Sequence, residues 1–249
     1  MNQTWPVIEV FGPTIQGEGA EAGMPCHFVR FGGCDFRCSW CDSMYAVDPA
    51  EVRANSTRMN ATDILSLLTG LEGNPEWVIL SGGNPALLEL GRLVNLLHDT
   101  GYKVAVETQG SKWKPWLADV DRLTVSPKPP SSGMATDQHQ QEFGKFYAQA
   151  LAERVDPALK IVVADDTDFT WATTIFQTYP TGERHLSVCT PQYGELDQDE
   201  NPVLSDLDML LAVSSRYRWL AEKVAGAGLT DVRVLPQLHV IAWGAARGV

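Results

Sequence analysis

The sequence has 249 residues, of which 44% are hydrophobic and 20% charged, with 21 Gly and 15 Pro. This is globular composition, which excludes a collagen-like, disordered or coiled-coil chain, and no apolar run approaches the ~20 residues of a membrane span. Nineteen Lys and Arg against 31 Asp and Glu leave a formal charge of −12; that surface repels phosphate backbones, so neither a nucleic-acid partner nor a membrane is expected.

The expected elements alternate. In chain order they are a strand at His27–Phe31, a helix at Thr62–Leu71, a strand at Trp77–Ser81, a helix at Ala86–Leu97, strands at Lys103–Glu107 and Leu123–Ser126, a helix at Gln138–Arg154, a strand at Leu159–Ala164, a helix at Asp168–Tyr179, a strand at His185–Cys189, a helix at Leu204–Ala225 and a strand at Asp231–Leu235. The strands are short runs rich in β-branched residues. The helices show apolar residues at three- and four-residue spacing, as with Ile64, Leu67, Leu68 and Leu71. Strands separated by helices imply βαβ units and a mainly parallel sheet. About seven strands are too few for a closed eight-stranded barrel, so a partial, open parallel (β/α) barrel fits better than a doubly wound sheet. Residues 1–249 read as one domain.

Polar motifs fall at the strand ends. Ser81-Gly82-Gly83-Asn84-Pro85, Glu107-Thr108-Gln109-Gly110, Ser126-Pro127-Lys128 and Pro236-Gln237-Leu238-His239 each follow a strand. Ligand sites of parallel α/β folds gather at the carboxyl ends of strands. Each motif alone is also ordinary turn chemistry; four at equivalent ends point to a site.

The opening residues carry no basic segment and no long apolar core, so they do not read as a signal peptide, and a cytoplasmic location is expected. In a reducing compartment the five cysteines should be free thiols or metal ligands. Three of them, Cys34, Cys38 and Cys41, form C-x3-C-x2-C. Three thiolates on one loop can hold three corners of a 4Fe–4S cube, which ordinarily takes four cysteines, leaving one iron open to a small ligand. The alternative is a closed, four-coordinate zinc site completed by Cys26 or His27, although no second ligand pair at zinc spacing is present. Cys26 and Cys189 otherwise read as buried small apolar side chains.

The triad, with the aromatic Trp40 just before its third cysteine, resembles the radical S-adenosylmethionine (SAM) enzymes. The wider motifs Pro13–Gly19 (PTIQGEG), Gly32–Ser43, Ser81–Leu88, Glu107–Gly110, Ser126–Ser132, VLPQLH and the final WGAARGV are similar to those of the 7-carboxy-7-deazaguanine synthases over essentially the whole chain. The resemblance implies a radical SAM fold and conversion of 6-carboxy-5,6,7,8-tetrahydropterin to 7-carboxy-7-deazaguanine with loss of ammonia, a step towards queuosine and related 7-deazapurines. The implied cofactors are a 4Fe–4S cluster, SAM and Mg2+. No side chain is the implied hydrogen abstractor; that role falls to the 5′-deoxyadenosyl radical.

Carried over residue by residue, Cys34, Cys38 and Cys41 would ligate the cluster and Ser43 the magnesium, a hard ion that prefers oxygen. Trp40, Cys41, Asp42, Gly82, Gly83, Glu107, Ser126, Pro127 and Lys128 would bind SAM, the two glycines by close backbone approach and Glu107 through the ribose hydroxyls. Ile15, Gln16, Gly17, Glu18, Arg30, Ser81, His239 and the terminal Val249 would bind the pterin. Among these, Arg30 suits the substrate carboxylate, and Gln16 and Glu18 suit an aminopyrimidinone edge. Asn84 stands where many radical SAM enzymes have Glu, which removes one carboxylate partner for the SAM amine. A one-electron donor such as flavodoxin or ferredoxin and a homodimer are further implications. A glycyl-radical activating enzyme would share the cysteine loop but has no need of Gln16, Glu18, Arg30 and His239.

Overall fold

The computed structural model describes residues 3–180, 182–190, 206–244, 246 and 248. Nine strands form one sheet: β1 (Trp5–Ile15), β2 (Pro25–Phe31), β3 (Thr57–Met59), β4 (Trp77–Gly82), β5 (Lys103–Thr108), β6 (Arg122–Val125), β7 (Ala158–Val163), β8 (Arg184–Val188) and β9 (Val232–Leu235). Their order is β3-β1-β2-β4-β5-β6-β7-β8-β9, so the sheet is open, with β3 and β9 at its edges. The seven strands from β2 onward, β3 excepted, run parallel. β1 is antiparallel to both of its neighbours.

The helices are α1 (Pro49–Asn55), α2 (Ala61–Gly70), α3 (Gly91–Asp99), α4 (Asp137–Ala152), α5 (Asp166–Thr178), α6 (Asp206–Gly226) and α7 (Leu238–Trp243). Local chemistry sets several of their starts. Asp48 accepts from Ala50 and Glu51 N–H with Pro49 at the first helical position of α1, and Asn60 with Asp63 forms a capping box on α2. The helix expected from Ala86 starts later. Asn84 caps a one-turn 3-10 helix at Pro85–Leu87, Leu88 is extended, and α3 begins only at Gly91.

Alternation along the strands sorts side chains between two faces. Val29, Phe31, Val78, Leu80, Val104, Val106, Leu123, Val125, Leu159, Ile161, Leu186 and Val188 pack with Ile64, Leu93, Phe143, Ile175 and Val213 of the helices in one core. The opposite, concave face starts apolar, with Cys26, Phe28, Ile79 and Ala105 in a second small cluster. Further along the strands it turns polar. Arg30 pairs in register with Ser81, Glu107 with Thr124, and Lys160 with His185. The same two-residue period that buries the core thus brings Arg30, Ser81, Glu107 and Lys160 to the mouth of the open barrel.

Candidate active site

A cavity of about 450 Å³ opens at the carboxyl ends of the parallel strands. It is lined by Cys34, Cys38, Trp40, Cys41, Asp42 and Ser43 of the cysteine loop, by Ser81, Gly82, Gly83, Glu107 and Lys128 from the strand ends, and by Ile15, Gln16, Gly17, Glu18, Arg30 and His239. Every site residue expected from the sequence lines it except Ser126, Pro127 and Val249. Ser126 is buried beneath it and accepts a hydrogen bond from Lys128 Nζ at 2.8 Å. Pro127 lines a smaller neighbouring cavity of about 190 Å³ with Phe36, His139 and Trp171. Val249 lies outside the described residues; Ala246 and Gly248, just before it, line the main cavity.

The cysteine loop is tied down at both ends. Asp35 accepts from Asn84 Nδ2 at 3.0 Å and from Gln109 Nε2 at 2.5 Å, fastening the loop to the ends of β4 and β5. At its far end Ser39 Oγ donates to the Ser131 carbonyl at 2.7 Å, and Trp40 Nε1 donates to Ser131 Oγ at 2.9 Å. Ser131 is held in turn by fully buried Asp168 at the start of α5, through N–H at 3.0 Å and Oγ at 2.5 Å. Asn84 makes two donor and two acceptor contacts, to Asp35, Ser111, Ala86 N–H and Thr108 Oγ1. That uses the full capacity of a primary amide, and an acid here would face Asp35 with like charge. Asn84 therefore works inside the protein as a strut.

All three thiols of the triad are half-buried. Burial pushes all three up, Cys41 to about 11, while the Lys128 ammonium pulls the other way on each. Phe36 N–H and Gln109 Nε2 donate to Cys34 Sγ at 3.4 and 3.5 Å. Among the described residues no group of three His, Cys, Asp or Glu side chains is disposed to hold a single ion, whereas a cube takes each thiolate on a different iron. Cys26 and His27, the candidates to complete a zinc site, do not line the cavity: Cys26 is buried in the small apolar cluster and His27 Nε2 lies 3.4 Å from the Glu72 carbonyl.

Two glycines also meet a demand of the fold itself. A Cβ on Gly82, at φ +136°, would lie 2.0 Å from the Phe31 carbonyl oxygen, and one on Gly83 would lie 2.3 Å from that of Gly33. Their missing side chains first make room for the protein's own backbone, and the cavity wall is what that close approach builds. A Cβ on Gly17 would meet His239 Nδ1 at 2.1 Å, so the imidazole lies over the bare Gly17 backbone.

The residues expected on the pterin side are held by neighbours in the protein. Arg30 Nε donates to Glu9 at 2.5 Å, and its guanidinium stands 5.8 Å from the Phe11 and Tyr45 ring centres. Glu18 is gripped from two sides, by Lys160 Nζ and by Gln237 Nε2, the latter at 2.6 Å. Burial would raise its carboxyl, but Lys160, His239 and Gln237 outweigh that and hold it at about 2. Lys160 also contacts Glu107 at 2.6 Å; burial opposes its charge, yet the two carboxylates carry it above the usual lysine value.

No protein-family model matches the sequence. The 7-carboxy-7-deazaguanine synthase of Bacillus cereus is 40% identical over 247 residues, 98% of each chain. That of Bacillus subtilis is 38% identical over the same share. The chain belongs to the 7-carboxy-7-deazaguanine synthase family. The crystal structure of QueE from Escherichia coli matches the fold with a TM-score of 0.66 over 95% of both chains at 19% identity.

Reading the sequence missed Lys160, Gln237, Asp35, Gln109 and Asp168, which hold residues of the cavity in place. Lys160 carried a usable signal. It is the one charge in the otherwise apolar run ALKIVV of β7, at the concave-face register, and a buried charge needs a partner. Gln237 and Gln109 lie inside motifs already quoted, beside His239 and Glu107. Asp168 carried none for its hold on the loop, because Ser131 is 37 residues away.

Proposed function

We propose that this chain converts 6-carboxy-5,6,7,8-tetrahydropterin to 7-carboxy-7-deazaguanine with release of ammonia, in the synthesis of queuosine and related 7-deazapurines. The reading rests on family membership and on one observation: the cysteine triad, the β4 and β5 strand ends and the Gln16–Glu18, Arg30 and His239 set open on a single cavity. Cys34, Cys38 and Cys41 would hold a 4Fe–4S cluster, and Trp40, Asp42, the Gly82–Gly83 backbone, Glu107 and the Ser126–Lys128 segment would hold SAM. Together these cofactors would supply one-electron chemistry when bound. Ser43, whose Oγ donates to Asp42 at 2.9 Å, would offer magnesium an oxygen ligand.

The chain's own residues orient and enclose. Arg30, with Nε committed to Glu9, keeps its terminal N–H groups for the pterin carboxylate. Glu18 stays ionised and therefore accepts only, which suits the N–H donors of an aminopyrimidinone; two of its roughly four acceptor sites are taken by Lys160 and Gln237. Glu107 keeps one oxygen for ribose hydroxyls. His239 and Ile15 close the pterin end, and the terminal Val249 carboxylate would complete it. Fixing the reacting hydrogen and excluding water protect a reactive radical from side reactions. The whole chain would act as one cytoplasmic domain, paired as a homodimer and reduced by flavodoxin or ferredoxin. Among the described residues no helix is long and apolar enough to cross a membrane.

Anaerobic, iron-loaded protein supplied with SAM, Mg2+, reductant and the pterin should form 7-carboxy-7-deazaguanine. Alanine at Cys34, Cys38 or Cys41 should abolish both iron binding and turnover. Protein that cleaves SAM but leaves the pterin untouched defeats the substrate assignment.

A further inference from the structure

Lys160 lies midway along β7 with its side chain 3% exposed, and its ammonium contacts Glu18 and, at 2.6 Å, Glu107. The two acids come from opposite parts of the fold. Glu18 follows β1 and Glu107 lies near the end of β5. On the reading above, one faces the pterin and the other faces SAM. We infer that Lys160 is a positioning residue common to both subsites, a single buried cation that fixes the substrate-facing and the SAM-facing carboxylate at once.

The argument is one of charge and room. Two largely buried carboxylates repel, and without a cation between them one would take up a proton or swing towards solvent. A protonated carboxyl becomes a donor and no longer suits a ligand that itself donates. Lys160 has a flexible stem and a point charge with three protons, so it can serve both acids without the planar demand of a guanidinium. The backbone pins its stem in the interior of the sheet, in register with His185. Glu18 has a second anchor in Gln237, which holds its other oxygen. Among the described residues Lys160 is the only cation within salt-bridge distance of Glu107.

Because it rests on the proposed assignment of the two subsites, the inference is tested by binding as well as turnover. Dissociation constants for SAM and for the pterin are measured by anaerobic calorimetry on iron-loaded wild type, Lys160→Met, Lys160→Gln, Lys160→Arg, Glu18→Gln and Glu107→Gln proteins. Lys160→Met should weaken both ligands at least tenfold, and Lys160→Arg should recover part of each loss. Double-mutant cycles separate positioning from general damage. The effect of Lys160→Met on SAM should largely vanish in a Glu107→Gln background, and its effect on the pterin should vanish in a Glu18→Gln background. Additive losses in both cycles, or a Lys160→Met protein that loses only one ligand, would overturn the inference. Lys160→Gln, which keeps a hydrogen-bond donor without the charge, takes the place of Lys160→Met if the latter does not fold. Wild type that binds SAM but not the pterin would instead defeat the synthase reading, and the SAM–Glu107 cycle would still report on Lys160.

Discussion

Gly17 and Glu18 show how much rests on single side chains, or on their absence. With His239 Nδ1 2.1 Å from where a Cβ would stand, Gly17→Ala must displace the ring. It should raise KM for the pterin about tenfold or more with SAM affinity unchanged, a split that steady-state kinetics and calorimetry read separately; a kcat loss at unchanged KM would place His239 elsewhere in the cycle. Glu18 gives a pH signature. Its folded carboxyl lies below the unfolded value of ~4.3, so the stabilisation it provides is complete above that value and is lost as the pH falls towards about 2. Lys160 is raised, so its share is complete below the unfolded ~10.4 and is lost as the pH climbs from there through its folded value. Between pH ~5 and ~3 the unfolding temperature of wild type should therefore drop more steeply than that of Glu18→Gln. Parallel curves would mean that the ion pair forms no better in the folded protein than in the unfolded chain.

At the scale of elements, what could be read from the sequence was what local periodicity encodes. The seven parallel strands and most of the helices follow from β-branched runs and apolar spacing, and with them the open barrel. β1 escaped because Pro6, Gly12 and Pro13 interrupt the strand pattern; the structure admits them in an antiparallel strand whose pairing shifts register between Val7 and Glu9 and between Phe11 and Thr14. β3, with three residues, and α7, with six, are too short to show a period. α1 could have been found from Asp48-Pro49, an N-cap followed by proline. The cysteine loop shows the same limit in the site. Its thiols announced themselves by spacing, but their anchor on α5 is a tertiary contact. Asp168→Ala should leave the Ser131 and Ala164 N–H groups without partners and cost about 2–4 kcal/mol, read by chemical denaturation, with a parallel fall in iron retained after anaerobic reconstitution. Lost stability with full iron content would show that the loop does not depend on this anchor.

Across the whole molecule, the cavity is assembled from both ends of the chain. Gln237 donates to Glu18 across 219 positions, Leu238 N–H donates to the Gly17 carbonyl at 3.1 Å, and Arg30 is braced by Glu9 of β1. β9 lies at a sheet edge with a single neighbour, so this closure belongs to the less protected part of the fold. Gln237→Ala should speed amide exchange through residues 236–244 and weaken pterin binding, while β4 to β7 keep their protection. Uniform deprotection would instead mean that the sheet unfolds as one unit.

The long reach between Glu18 and Gln237 also bears on synthesis. During translation the three thiols leave the ribosome well before the segment that completes the cavity wall is made. A nascent or prematurely terminated chain can present the cysteine loop while the pocket still stands open to water. The reactive centre and its shelter are thus separated in time, and finishing the last strand and helix is what joins them.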